Sequence, residues 1–190
     1  MDNRDIGHYS MGKIIMDMLP IITLLLIVST ISGYFLNKNL GMPVFVSLLV
    51  VVPSFINMTG DIASVIGSRI SSGLHLGKIV IGKRQKLIYH NLMAALIIAF
   101  ITFFILGICA ETLLIFLNGK GIGYVTFILI TLSAGITTTF ILSIFVIITA
   151  LLSYKYGIDP DNTTSPIITT LGDLIGVINL FMFAKIIIGG

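Results

Sequence analysis

The sequence has no tryptophan, a single cysteine and few charged residues among its 190 positions. Cys109 alone cannot form a disulfide within the chain, and a cysteine-rich metal site is excluded for the same reason. The histidines His8, His75 and His90 are far apart, so no two of them have the helical spacing of a zinc, copper or iron site. The metal ligands that this chain can offer are therefore oxygen atoms.

The scarcity of charge excludes an ordinary soluble protein. Only 10% of the residues are charged and 56% are hydrophobic, with a mean hydropathy of +1.11. A globular chain carries about 25% charged residues, so most of this surface cannot face water. The formal net charge of +3 does not indicate nucleic-acid binding, because the basic residues cluster in one loop beside apolar runs. The composition predicts a polytopic membrane protein.

Five apolar runs predict an all-α integral membrane protein, with one transmembrane domain over residues 1–190 and no soluble regulatory domain. The predicted spans are about 18–36, 42–73, 87–117, 122–154 and 166–188. Each is long enough to cross a hydrocarbon core of about 30 Å. A straight helix over the second run would be about 48 Å long, so it must tilt, break or project into the cytosol, and Asn57–Asp61 is the predicted place for a break.

The distribution of Lys and Arg predicts a cytosolic N-terminus and, with five spans, a C-terminus outside the cell membrane. The loop 159–165 is then cytosolic. In that orientation the outer segments carry only Lys38, Lys120 and Lys185 of the 11 basic residues. The others lie inside: Arg4, Lys13, Arg69, Lys78, Lys83, Arg84, Lys86 and Lys155.

Asp173 interrupts the last apolar run, 166–188. It is seven residues past Pro166, which places it about 10 Å along the predicted helix. A lone ionisable group at membrane depth costs at least about 2.5 kcal/mol, so it must face protein or a water-filled path. No Lys or Arg lies at that depth in any span, and the nearest candidate for an ion pair is Arg69.

Polar residues of the second span recur at helical spacing. They are separated by 4, 3, 4 and 3 positions, which places them on one helix face: Asn57, Asp61, Ser64, Ser68 and Ser71. Such a stripe indicates either hydrogen bonding to a partner helix or an aqueous path, and the carboxylate favours the path. In the fifth span, Thr169, Asp173 and Gly176 share a face, and Gly172 with Gly176 permits the close approach of another backbone.

Carboxylate, amide and hydroxyl oxygens are ligands for hard cations such as Mg²⁺, which keeps much of its water. The candidate metal-binding residues are Asn57, Gly60, Asp61, Asn162, Thr169, Thr170 and Asp173. A two-fold dimer would bring two copies of each carboxylate to a shared axis. Asp159, Asp161 and Asn162 form either helix caps or an acidic cytosolic mouth, whereas Glu111, His90 and Asn91 are expected to be structural.

The same stretches resemble the MgtE and solute-carrier-41 family of magnesium transporters. The second-span pattern is Pro53-x3-Asn57-x2-Gly60-Asp61, followed by Ser68-Arg69-Ile70-Ser71. The fifth-span pattern comprises Tyr156, Asp159-Pro160-Asp161-Asn162, Pro166 and Leu171-Gly172-Asp173-Leu174. Leu19-Pro20 at the start of the first span also fits, so the resemblance covers essentially the whole chain as one five-helix unit.

The resemblance implies a divalent-cation pore, with Mg²⁺ as the transported ion and no cofactor, formed by two five-helix units. The family's key acidic residue in the fifth helix matches Asp173. Asp61 stands where the family usually has Asn, which adds negative charge. A single unit implies a homodimer, or a heterodimer with a paralogue, and gating by cytosolic regulatory domains is not expected within this chain.

Two other functions fit parts of the sequence. An intramembrane aspartyl protease could use Asp61 and Asp173, since both follow glycine and a pair of carboxylates can activate water. However, neither a Gly-x-Gly-Asp nor a Pro-Ala-Leu element is present. A non-transporting assembly subunit would use the polar stripe to contact another protein. We predict a transporter or channel rather than an enzyme.

Overall fold

The computed structural model describes residues 19–20, 23, 26–34, 47–80, 86–117 and 121–189, except the side chain of Asn162. Within these ranges the protein is helical. The long helices are α1 (Val52–His75), α2 (Lys86–Phe116), α3 (Tyr124–Lys155) and α4 (Pro160–Ile188). Of the first predicted span, 18–36, residues 19, 20, 23 and 26–34 are described, and all of them are helical.

Helix α3 forms the centre of the bundle and contacts α1, α2 and α4, while α1 also lies directly against α4. One apolar cluster is built around Phe55, Phe103 and Phe127, with the Phe55 and Phe103 ring centroids 5.0 Å apart. A second cluster, around Ile70 and Val146, fills the other end. Both α1 and α4 therefore pack against α3 and lie side by side.

Three of the helices in the described part of the chain are long and apolar enough to cross a membrane: 86–116, 124–155 and 163–188. Their outward faces carry large apolar side chains, among them Ile97, Phe100 and Ile101 of α2. Helix α1 is not among the three, because its polar stripe dilutes its apolar residues. The protein is thus a helical membrane protein, and the number of spans and the orientation stay predictions.

The predicted break at Asn57–Asp61 is wrong. Helix α1 runs without interruption from Val52 to His75, and the chain instead turns at residues 49–51, just before Pro53 in the first helical turn. Proline is tolerated there because the N–H groups of the first turn have no helical acceptor. Gly60 does not end the helix. Because it has no side chain, α4 can pack closely against it.

The last helix begins earlier than the sequence predicts. Its first residue is Pro160, so Pro166 lies inside it, and most of the predicted loop 159–165 is helical. Asp159 is the N-cap, since its side chain accepts a hydrogen bond of 3.0 Å from the backbone N–H of Asp161. An N-cap aspartate followed by proline is a strong start signal that outweighs the helix-breaking tendency of Pro166. Asp173 consequently lies about 20 Å from the start of α4.

Glu111 is structural, as expected, and it joins α2 to the start of α3. The residue is only 3% exposed, and its carboxylate accepts hydrogen bonds from the backbone N–H of Ile122 (3.2 Å) and of Gly123 (2.9 Å). Gly123 has φ 93°, a conformation that favours glycine, and it forms the N-cap of α3 without a side-chain oxygen of its own. Glu111 thus supplies the acceptor that this helix start lacks.

We expect Glu111→Ala to destabilise the bundle by about 1–3 kcal/mol, because it leaves two part-buried N–H donors without their acceptor. Glu111→Gln keeps one acceptor oxygen and should cost about half as much. Thermal unfolding of the detergent-solubilised protein measures both. An Ala variant as stable as the wild type would show that water satisfies these donors and that the carboxylate is dispensable.

Candidate functional site

Helices α1 and α4 approach each other most closely at two glycines. A Cβ atom on Gly172 would lie 3.6 Å from the Cα of Gly60, and one on Gly60 would lie 3.7 Å from Cγ2 of Thr169. Farther along, Gly67 faces Thr164, so residue numbers rise on α1 as they fall on α4 and the helices are antiparallel. The spacing of small residues in the fifth span predicts this close contact, and the structure confirms it.

The crossing places the two candidate carboxylates on the same side. Asp61 follows Gly60 and Asp173 follows Gly172, so each is rotated about 100° from the contact line. In antiparallel helices facing each other, that rotation takes both residues towards the same side of the pair. Asn57 and Thr169, each three residues before its glycine, are rotated about 60° in the same direction.

This side of the helix pair is open. Asn57, Asp61 and Thr169 are exposed, and Asp173 is half-buried. Asp173 has no ion-pair partner among the described residues. Arg69, which the sequence offers as the candidate partner of Asp173, instead donates a hydrogen bond of 3.4 Å to Oδ1 of Asn91 on α2. The structural ion pair weighed above is therefore not formed within the described part of the chain.

Thr169 and Thr170 have different surroundings although both were candidate ligands. Both hydroxyls donate to the backbone carbonyl of Pro166, at 3.0 and 3.1 Å. Thr169 is exposed on the open side, and because its proton is engaged, its oxygen lone pairs are free to accept or to coordinate. Thr170 is 7% exposed and lies on another face of α4.

A groove continues from the crossing towards the end of α1 and the start of α4. It has a volume of about 290 Å³ and is lined by Ser64, Val65, Ser68, Asp161, Thr164 and Ser165. At about 30 Å³ per water, this space accommodates a cation with several of its waters. The hydroxyl-rich wall suits hydrogen bonding to such waters, since Mg²⁺ loses its hydration shell reluctantly.

The end of α1 and the start of α4 are linked outside the wall of the groove. Nε2 of His75, in the last turn of α1, lies 3.6 Å from Oδ1 of Asp159 at the N-cap of α4. Asp159 is thus a helix cap, whereas Asp161 is exposed in the first turn of α4 and lines the groove. The acidic cytosolic mouth stays a prediction. The side chain of Asn162, another candidate ligand, lies outside the described part of the structure.

Several polar contacts near the site could not be predicted from the sequence. Ser32 in the segment 26–34 donates a 3.2 Å hydrogen bond to the backbone oxygen of Asp173, so this segment lies against α4 at the level of that residue. Nδ2 of Asn179 donates to the hydroxyl of Thr138 at 3.0 Å, which ties α4 to α3 in the core. Ser71 does not extend the exposed stripe, because its side chain is fully buried.

The described residues of one chain do not form a cluster of charged, imidazole or thiol ligands around one point. No group of three or more His, Cys, Asp or Glu side chains converges among the described residues. Two carboxylates and a row of neutral oxygens instead make a hydrophilic, cation-attracting surface. Asp61 and Asp173 belong to different helices and share an open face at the point where those helices cross.

In a helical membrane protein, an acidic, hydroxyl-lined groove between two closely packed helices is a surface suited to cations. Residues 52–183 match the family MgtE, described as "Divalent cation transporter". The chain belongs to this family, which confirms the resemblance found in the sequence. Since it is a family of transporters, membership does not favour the aspartyl protease.

The curated relatives are similar to this chain over part of their length. Solute carrier family 41 member 3 of Mus musculus is 29% identical over 176 residues, which cover 83% of this chain and 35% of the relative. Solute carrier family 41 member 2 of Homo sapiens is 29% identical over 133 residues, which cover 67% of this chain and 23% of the relative. The chain thus spans about a third or a quarter of these proteins. No solved structure matches it.

Proposed function

We propose that the protein transports a divalent cation, Mg²⁺ foremost, across the cell membrane, and that the ion passes along the open side of α1 and α4. The observation that carries this proposal is the crossing at Gly60 and Gly172, from which Asp61 and Asp173 extend to one side. Membership of a family of divalent cation transporters supports the same substrate class.

A second copy of the chain completes the path in this proposal. The polar stripe of α1 and the carboxylate of Asp173 cannot face lipid without a large cost in free energy. A two-fold axis alongside α1 and α4 would cover them with the same surface of a partner, and it would place four carboxylates around one axis. A heterodimer with a paralogous five-helix unit would serve the same purpose.

The groove determines the form in which the ion travels. Its hydroxyl groups are placed to bond water rather than to replace it, so we expect a largely hydrated cation. The carboxylates then act through the intervening water, offsetting the ionic charge without tight coordination. This arrangement favours ions that hold their hydration shell, which is the reason for placing Mg²⁺ ahead of Mn²⁺, Ca²⁺ and Co²⁺.

Mg²⁺ flux into liposomes that contain only the purified chain tests the proposal. We expect uptake to exceed that of protein-free liposomes, to increase with an interior-negative potential and to fall when a preferred competing ion is added. Chemical cross-linking in the same liposomes should report a dimer. Absence of flux from a folded, dimeric protein would favour the non-transporting assembly subunit instead.

A further inference from the structure

Cationic side chains gather at the corner between α1 and α2, and no acidic residue of this part of the sequence offsets them. Five of the 11 Lys and Arg residues lie from position 69 to position 86, and no Asp or Glu occurs between Asp61 and Glu111. The structure describes three of the five, Arg69, Lys78 and Lys86, and all three are exposed. The corner therefore carries an excess of positive charge, although Asp159 of α4 lies 3.6 Å from His75 at the end of α1.

Packing brings these cations to one place. A Cβ on Gly73 would lie 2.7 Å from Cδ1 of Ile79 and 3.2 Å from Cδ2 of Leu87, so the end of α1, the following bend and the start of α2 meet there. The backbone N–H of Ile79 also donates to the carbonyl of Gly73 at 2.9 Å. Lys78 precedes Ile79 and Lys86 precedes Leu87, so the backbones of both lysines lie beside this contact and their side chains are exposed.

Arg69 lies one helical turn before Gly73 and bonds to α2 one turn beyond Leu87. Its Nη1 donates to Oδ1 of Asn91 at 3.4 Å. Asn91 is only 7% exposed, and its Nδ2 has no hydrogen-bond partner in the described structure. An unpaired buried amide is unfavourable, so an acceptor oxygen arriving beside Arg69 would have two donors available.

We propose that this basic corner, formed by Arg69, Lys78, Lys86 and Asn91, binds the phosphate group of an anionic membrane lipid. Cations at the end of a membrane-spanning helix attract anionic headgroups, and α2 is the most apolar of the three candidate spans in the described residues. Below the corner its outward face offers Met93, Ile97 and Ile98 to an acyl chain. Asn91 lies about 8 Å along α2, so its amide sits just inside the level of the two lysines.

The test compares two lipids with identical acyl chains, phosphatidylglycerol and phosphatidylcholine, added to the full chain in detergent and counted by native mass spectrometry. We expect the wild type to prefer phosphatidylglycerol at least tenfold. Each lost cation should weaken that binding about fivefold, so Arg69→Gln loses about fivefold and the triple variant with Lys78→Gln and Lys86→Gln about a hundredfold. Lys185→Gln is the matched control, because Lys185 is an exposed cation in the last turn of α4 and does not belong to the basic corner. This variant should bind phosphatidylglycerol as the wild type does.

Three results would overturn the proposal: equal binding of both lipids, an equal loss in Lys185→Gln, or displacement of phosphatidylglycerol by an equimolar amount of inorganic phosphate. Circular dichroism verifies that each variant is helical. If Arg69→Gln fails to fold, the Lys78→Gln and Lys86→Gln double variant decides alone, because both side chains are exposed. It should then lose about 25-fold. Lipid binding is measured without ion flux, so failure of the proposed transport leaves this test unaffected.

Discussion

Asp173→Asn should reduce Mg²⁺ uptake into proteoliposomes at least about tenfold while leaving the protein folded. Asparagine has nearly the same shape as aspartate, so only the negative charge on the open side of α1 and α4 is lost. A unit charge pair about 4 Å apart interacts with about 4 kcal/mol at an effective dielectric constant near 20. Losing roughly a third of that attraction already corresponds to a tenfold change. Initial rates of Mg²⁺ uptake, normalised to reconstituted protein, measure the effect.

Asp159→Asn is the matched control for this experiment. Asparagine caps a helix as well as aspartate does, so α4 should still begin at Pro160, and the change removes one negative charge outside the wall of the groove. We expect uptake within about threefold of the wild type. Normal uptake by Asp173→Asn, or an equal loss in Asp159→Asn, would mean that the charge of Asp173 has no special role.

The two candidate carboxylates can be identified from the sequence because each is a charged residue within a predominantly apolar run. Asp173 stands in an apolar run, and Asp61 lies on a polar stripe with helical spacing, so both stand out without any knowledge of the fold. The spacing of Gly172 and Gly176 likewise indicates a close helix contact. What the sequence leaves open is the partner of that contact, since only the fold pairs Gly172 with Gly60.

The errors arise where local preference and tertiary packing disagree. The stretch Asn57–Asp61 contains residues typical of turns, yet it is helical, because Gly60 gains contact with α4 and the neighbouring Thr59 is buried against the core. At the start of α4 the sequence offers two prolines, and the choice between them depends on the cap. Asp159 bonds the N–H of Asp161, which starts the helix six residues before Pro166.

Long-range hydrogen bonds could not be predicted at all. The contact between Asn179 and Thr138 joins residues 41 positions apart, and Glu111 bonds the backbone of residues across a loop. A Thr run such as 137–139 is equally consistent with an aqueous path, and only the structure shows that Thr138 and Thr139 are fully buried. The sequence therefore identifies which residues are unusual, whereas the fold decides which of them face the groove.

The second large effect is expected at the helix crossing, from Gly172→Leu. A leucine there has to place three carbons beyond its Cβ where the backbone of Gly60 and Cδ1 of Leu142 already lie within 3.6 Å of that Cβ. Overpacking of this kind costs about 1–3 kcal/mol and moves backbone. Separation of α1 from α4 also moves Asp61 relative to Asp173, so we expect uptake of Mg²⁺ to fall at least about tenfold.

Gly172→Ala is the control that distinguishes displacement of α1 from α4 by a large side chain from the mere replacement of glycine. Its Cβ would make ordinary van der Waals contacts of 3.5 Å to Leu142 and 3.6 Å to Gly60, so the helices need not move. We expect the Ala variant to retain at least about half of the wild-type uptake, with unchanged helical content in both variants. Equal activity of the Ala and Leu variants would show that the spacing of α1 and α4 does not set the ion path, and the groove would then have to conduct independently of their contact.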